Sequence, residues 1–431
     1  MATRRERIAV LSINHWILQM FVRPEGIHSG KWFGSGDHKD LRTSLLLRKI
    51  RDFDIVLLQE MFEVGVRQPR FVQAAAELGF KYHAGSVWPA LTGTRLIDGG
   101  LLILSKFPIV ERAQHAFTQG SGSDGICSKG VLYARVQLSP DISDSLHLFT
   151  THTQAGDHRL EYGIRHAQLK ELKDFVAQTI QDDAYSPLLV TGDFNLDARH
   201  DIIHRGDELE FTKCEESMVY QTLYSDLHSV LAAGRHLVDL MKEHDTTKLE
   251  GHLHPITNGD GHATLTHVCD PMSPEKDGKC IDYMFFSPGV RERRSVSGDI
   301  PTLHLRVVPE ITHVEHGDVA SILHKEAEET HRALSPSLPI THISDHYGLR
   351  AEFELEISTV GRPDGSHVSE DSPLWEILQQ HFPPRAFAQR TKTLWQWKVR
   401  IVLLLIAAAS TGLVYVVGTI LRLAIFGGLD A

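Results

Sequence analysis

Five short apolar runs constrain the fold of this chain more than any other feature: "DIVLLQE" (54–60), "GLLILSK" (100–106), "HLFTTHT" (147–153), "PLLVTGDFN" (187–195) and "IDYMFF" (281–286). Their apolar residues are consecutive rather than alternating, so each run predicts a strand covered on both faces. Sheets of such strands need covering layers, and the chain supplies them. Between the third and fourth runs Leu169, Leu172, Val176 and Ile180 recur at steps of three and four, as one face of a helix does. A second helix over 69–78 ends at Gly79, a typical C-cap residue. Strands alternating with helices predict a layered α/β architecture in which sheets lie between helices.

The runs share an oddity. Nearly every one ends in, or contains, a polar residue that an apolar strand would not choose: Glu60, His152, Asp193, Asn195 and Asp282, with Asn14 near the end of an earlier run. Ligands of layered α/β folds sit at such strand ends and the loops that follow. Asp193 and Asn195, two residues apart, can project into one cleft. Taken alone they equally make an Asx-type turn, because both side chains hydrogen-bond nearby backbone.

The chain's bulk properties narrow the function. With 431 residues, 42% of them hydrophobic, it can bury a large core. A net charge of -11 offers no footprint for a polyanionic nucleic acid. Four cysteines, with no CxxC pair, suit neither a disulfide scaffold nor a structural zinc site. The opening "MATRRERIAVLSINHW" is basic like a signal peptide, but Asn14 and His15 interrupt its apolar part, and it reads as the first strand.

The far end differs. "IVLLLIAAASTGLVYVVGTIL" (401–421) holds 21 residues without a charge, enough at helical rise to cross a membrane. Arg385, Arg390, Lys392, Lys398 and Arg400 precede it, whereas Arg422 alone among basic residues follows. The positive-inside rule then puts the N-terminal side in the cytosol, with Trp395 and Trp397 at the interface. The expected organisation is a catalytic domain over 1–357, a linker and juxtamembrane segment over 358–398, a transmembrane helix over 399–422 and a tail over 423–431. Within the linker, Trp375, Leu378 and Phe382 have helical spacing; this stretch either lies on the membrane surface or caps the body.

The polar strand ends have a chemistry in common. Glu60 is a carboxylate suited to a hard divalent cation, and Asn14 offers an amide beside it. His152 can donate to a phosphate oxygen or to developing negative charge. In "ISDHYGLRAEFEL" (343–355), His346 has the proton affinity of a general base near neutral pH. Asp282, an acid embedded in a strand, needs a partner, and His346 would supply it.

The ordered set "INHW", "LLQE", "THT", "TGDFN", "IDY" and "SDHYG" resembles the endonuclease/exonuclease/phosphatase superfamily over most of residues 7–356. "DGGLLILSKFPI" (98–109) and "DGICSKGVLYARV" (124–136) resemble its neutral sphingomyelinases, including the membrane-anchored branch that cleaves inositol phosphosphingolipids. That branch often has two membrane spans, whereas one is read here. A "PAWCDR"-like stretch, expected of inositol polyphosphate phosphatases, is missing, and "GKCIDYMFF" stands in its place.

The resemblance implies a four-layer αββα sandwich of the DNase I-like kind and Mg2+-dependent hydrolysis of a phosphodiester, with Mn2+ as the alternative ion. It implies Glu60 as metal ligand, with Asn14 helping to position the phosphate, and Asp345 as holder of a second metal or a water. Asp193 and Asn195 would hold the attacking water and a phosphate oxygen, His346 would be the general base supported by Asp282, and His152 would stabilise the transition state. Lys129 is either a phosphate or headgroup contact or an ordinary surface lysine. The expected function is a tail-anchored phospholipase C with a cytosolic catalytic domain, acting on sphingomyelin or a related phosphosphingolipid. Trp32, Phe33 and Trp88 either dip into the lipid surface or pack in the core. A nuclease of the same superfamily and a non-enzymatic membrane scaffold are the competing readings.

Overall fold

The computed structural model describes residues 2–17, 38–62, 67–89, 95–139, 144–183, 186–206, 208–248, 251–258, 278–289, 304–315, 318–330, 338, 340–359 and 372–384. The strands that open the chain are β1 (Ala2–Ile17), β2 (Ile55–Met61), β3 (Tyr82–Gly85) and β4 (Leu102–Ser105). Next come β5 (Ile109–Ala116), β6 (Gly130–Gln137), β7 (Ser145–His152) and β8 (Leu188–Asp193), a hairpin of β9 (His200–Arg205) and β10 (Glu208–Lys213), then β11 (Val238–Asp239) and β12 (Asp282–Ser287). The last strands are β13 (His304–Val307), β14 (His313–Glu315) and β15 (Gly348–Thr359). Helices α1 (Lys39–Lys49), α2 (Arg67–Glu77), α3 (Arg159–Ile180), α4 (Met218–Ser229), α5 (Leu240–His244), α6 (Val319–Thr330) and α7 (Leu374–His381) fall between and after them.

Apart from the two-stranded β9–β10 hairpin, the strands form two sheets, ordered β13-β15-β1-β2-β4-β3, with β14 also on β15, and β11-β12-β8-β7-β6-β5. Consecutive apolar residues within a strand point to opposite faces. Thus Ile55 and Leu57 of β2 join the core between the sheets, with Val10, Leu148, Leu189 and Met284, while Val56 and Leu58 lie under the helices. On that outer face Leu45 and Leu46 of α1, Phe71 and Ala75 of α2 and Val319 of α6 cover the first sheet. Leu172 and Val176 of α3, with Tyr220 and Leu223 of α4, cover the second. The result is the expected αββα sandwich, and all four residues foreseen on the inner face of α3 are buried.

Each sheet contains a parallel pair, β1 with β2 and β7 with β8, and the rest of the described ladders are antiparallel. Parallel strands need a crossover, here α1 and α3, which keeps both carboxyl ends of a pair at one pole. Asn14, Glu60, His152 and Asp193 stand at those four ends. Asp282 begins β12, which runs antiparallel to β8, so it reaches the same pole from the opposite direction; the register pairs it with Asp193. A buried polar link ties the sheets just below: Gln59 Nε2 donates to Ser12 Oγ at 3.3 Å and to Thr150 Oγ1 of the other sheet at 2.9 Å.

At the opposite pole, α7 caps the body. Leu374 and Leu378 enter the core between the sheets, the Leu374 N–H donates to Glu6 Oε1 at 2.8 Å, and Gln379 Nε2 donates to the Lys106 carbonyl at 2.9 Å. Of the two readings of this stretch, the capping one holds for 374–382. Trp88 packs against Phe62, Ile97 and Cys127. Trp32, Phe33, the interfacial Trp395 and Trp397, the transmembrane helix at 399–422 and the tail at 423–431 lie outside the described residues. Among the described residues no helix is long and apolar enough to cross a membrane.

If α7 belongs to the body, truncating its inner face should be felt globally. Leu378 is fully buried, so Leu378→Ala should lower the stability by about 2–5 kcal/mol in urea unfolding. A loss within about 0.5 kcal/mol would mean that α7 is a detachable appendage.

Candidate active site

Asp193 is the hub, because its two carboxylate oxygens do different work. Oδ1 accepts the Asn195 backbone N–H at 2.8 Å, an Asx turn that leaves Asn195 left-handed with φ 47°. Oδ2 points into the site and accepts from Asn14 Nδ2 at 2.9 Å. The Asx turn is therefore present, and of the two side chains it is Asp193 that points into the cleft. Asn195 itself turns sideways, its Nδ2 donating to the Thr153 carbonyl at 3.2 Å. Gly192 makes the close approach possible: a Cβ there would lie 2.2 Å from the Thr151 carbonyl oxygen.

Glu60 faces the hub from the first sheet. Its Oε1 accepts from Asn14 Nδ2 at 3.3 Å, while its buried Oε2 has no protein partner. It stands in the left-handed region with φ 56°, a strained conformation for a residue with a Cβ. Burial, opposed by Lys129 and aided by Asp345, pushes its carboxyl up to about 7. An unpartnered carboxylate oxygen beside other acids is what a hard divalent cation would satisfy. Ligand atoms of Asp193, Asp282 and His346 also lie within 4.8 Å of one another, close enough for one ion to bridge. The donor set of this pole therefore fits a divalent metal, with Glu60 offering the open oxygen.

His346 and Asp282 form the expected dyad, Nδ1 to Oδ2 at 2.9 Å, both side chains buried. His346 Nε2 is left facing Asp193 Oδ2 at 3.9 Å. Burial alone would lower the proton affinity of the ring, but Asp282, Asp193 and Asp345 outweigh it and hold it well above the ordinary histidine value. Burial lifts the Asp282 carboxyl to about 6. One proton is held between the two, and the ring is its favoured place because three carboxylates surround it. Asp345 is half-buried beside them, its Oδ1 3.3 Å from Ser344 Oγ. Ser344 Oγ also donates to the Asn14 carbonyl at 2.5 Å, fastening this turn to β1.

Lys129 is no surface lysine. It is 4% exposed, and its ammonium donates three bonds of 2.8 Å, to Asp124 Oδ2, to the Thr153 carbonyl and to His152 Nε2. An ammonium has only donors, so His152 Nε2 accepts, and the network assigns the ring proton to Nδ1. His152 then cannot donate from the nitrogen that faces Asp193 at 3.4 Å; the cation behind it is the donor. Burial, reinforced by Lys129 and His346, keeps this ring neutral with a proton affinity well below normal.

All nine sequence-derived residues thus gather around one pole, with Asn195 turned toward the Thr153 carbonyl. Sequence reasoning missed Gln59, Asp124, Thr257 and Asn258. Asp124 precedes Lys129 by five residues in an irregular stretch, and Thr257–Asn258 lie in a segment without periodicity, so neither carries a pattern that would single it out.

The charge balance makes a direct forecast. A carboxyl raised by folding binds its proton more tightly in the native state, so the stability this confers is lost as pH rises through about 7. Divalent cations compete for the same oxygen, so their stabilising effect should grow between about pH 5.5 and about pH 7.5. Glu60→Gln should abolish that gain while raising the cation-free melting temperature at alkaline pH. Thermal unfolding with and without added cation reads both, and an unchanged cation response in the variant would remove Glu60 from the ligand set.

Residues 27–346 match the Endonuclease/Exonuclease/phosphatase family. Among curated proteins, a sphingomyelinase of Dictyostelium discoideum is 34% identical over 205 residues, which cover 41% of this chain and 43% of that protein. Sphingomyelinase C of Bacillus cereus is 31% identical over 163 residues, 34% of this chain and 47% of that one. The matched regions therefore span less than half the length of these relatives. Beta toxin from Staphylococcus aureus superposes over 80% of this chain and 99% of its own with a TM-score of 0.50 and 20% identity, a likeness of fold.

Proposed function

This chain belongs to the endonuclease/exonuclease/phosphatase family, and on that premise we propose that it is a membrane-anchored, Mg2+-dependent phospholipase C. Its substrate is sphingomyelin or a related phosphosphingolipid, and its products are ceramide and a phosphorylated headgroup. The observation that carries this reading is the gathering of Glu60, Asn14, Asp193, Lys129 and the Asp282–His346 dyad at one pole. The sphingomyelinase relatives supply the substrate class. The anchor rests on the uncharged run at 401–421, and a cytosolic catalytic domain on the basic residues before it.

A phosphodiester is a stable anion, so its hydrolysis needs charge neutralisation, an aligned water and a place for the departing alkoxide's charge. Bound against Glu60, Mg2+ would draw charge from a phosphate oxygen and offset the carboxylates that hold His346 protonated. The remaining roles belong to the chain. His346 Nε2 takes the proton of the attacking water, while Asp282 fixes the ring through Nδ1 and stabilises the imidazolium. Asp193 Oδ2, beside that nitrogen, orients the water. Asn14 keeps Asp193 and Glu60 at a fixed separation, the Asx turn at Asn195 aims Asp193 into the site, and Lys129, its three donors committed, contributes positive charge from behind His152. Asp345 would hold a second cation or a water.

The test is release of water-soluble phosphorylated headgroup from mixed micelles by the chain lacking residues 391–431. Sphingomyelin, inositol phosphosphingolipid and lysophosphatidylcholine are offered in parallel, with single-stranded DNA as control. Turnover should require Mg2+ and fall by about 10²-fold or more in His346→Ala, which removes the base. DNA cleavage without lipid turnover would move the chain to the nucleases of its family. Inactivity on every substrate, in the presence of anionic vesicles, would favour a scaffold.

A further inference from the structure

The acid and base of the dyad come from different sheets. Asp282 opens β12 in the second sheet, and His346 sits in the turn before β15 in the first. A bond of 2.9 Å between them depends on how the two sheets are registered at their ends. Two consecutive residues outside both sheets, Thr257 and Asn258, together reach the strand start that carries Asp282 and the turn that carries His346. Thr257 Oγ1 accepts the backbone N–H groups of Ile281 at 3.0 Å and Asp282 at 3.1 Å. The Thr257 carbonyl accepts the Tyr347 N–H at 2.8 Å, and the next residue, Asn258, bridges to both Lys279 and His346. Asn258 Nδ2 also donates to the Asp345 carbonyl at 3.2 Å.

Thr257 is fully buried, and by accepting both N–H groups its hydroxyl holds the backbone that opens β12 and carries the Asp282 carboxyl. The stitch is itself anchored further back: His254, three residues earlier and buried, is held by Glu216 Oε1 at 2.9 Å.

We propose that Thr257 is a positioning residue for the Asp282–His346 dyad: its hydroxyl fixes the backbone that carries the Asp282 carboxylate, and its carbonyl, with Asn258, clamps the turn that carries the histidine. It acts through Asp282. The proposal rests on the dyad serving as the base of a phosphodiesterase.

Thr257→Val keeps shape and removes the hydroxyl, whereas Thr257→Ser keeps the hydroxyl. Two readouts separate this idea from the activity reading. The first is NMR of the chain with labelled histidine, which needs no turnover: the wild type should show a downfield His346 Nδ1–H resonance from the bond to Asp282. Thr257→Val should shift or erase it, and Thr257→Ser should keep it. The second is kinetic: Thr257→Val should lower kcat about 10- to 100-fold with little change in KM, Thr257→Ser should recover most of it, and neither change should add to Asp282→Asn. If Thr257→Val does not fold, Asn258→Ala takes its place in both measurements with the same expectation. A valine variant with the wild-type resonance and wild-type kcat overturns the proposal, as does a wild type without the resonance. A lost resonance in a chain that turns over no lipid upholds the positioning role and counts against the phospholipase reading alone.

Discussion

The hydrogen bond from Asn14 Nδ2 to Asp193 Oδ2 is the point on which the site depends. It crosses from the end of β1 in one sheet to the end of β8 in the other, over 2.9 Å. The same amide reaches Glu60, so one neutral side chain holds two acids at a fixed spacing. The neutrality of the bridge matters, because a cation there would cancel the charge the site needs, and an apolar residue would let the two carboxylates repel each other.

The sandwich makes such a gathering of acids tolerable. Packing sheet against sheet keeps the core between them apolar along most of its length, and the acids of the candidate site gather at one pole. There the unfavourable burial shows in the raised carboxyls of Glu60 and Asp282. Lys129 is the buried cation that faces them from the second sheet, and it is fixed by three acceptors rather than left mobile. The parallel pairs β1/β2 and β7/β8 deliver four side chains of the candidate site to that pole, and the crossover helices α1 and α3 lie on the outer faces. At the far pole, α7 closes the core.

Much of this was legible in the sequence, for physical reasons that differ by residue. Continuous apolar runs announce strands covered on both faces, and the polar residues that end them stand out because nothing in a strand favours them. Asp193 and Asn195 were legible as a turn and as a site, and the turn is what aims one oxygen of Asp193 into the cleft. Lys129 was ambiguous because a lysine gives no local sign of burial; its three acceptors are brought to it by the ends of β7 and by the loop carrying Asp124. The role of His152 shifted for the same reason, since its tautomer is set by that lysine. Thr257 and Asn258 were invisible, for their bonds are to backbone groups that only the meeting of two sheets brings together. Residues 374–382 could not be told from a surface helix until Glu6 and Lys106 supplied their partners.

The central claim is that a water activated at this pole attacks phosphorus. Turnover of sphingomyelin in oxygen-18 water, followed by mass spectrometry of both products, tests it directly. Attack at phosphorus puts the label in the phosphoryl group of the released headgroup and none in ceramide. Label in the ceramide hydroxyl would mean carbon–oxygen cleavage and would contradict the assignment of His346, Asp282 and Asp193 to attack at phosphorus.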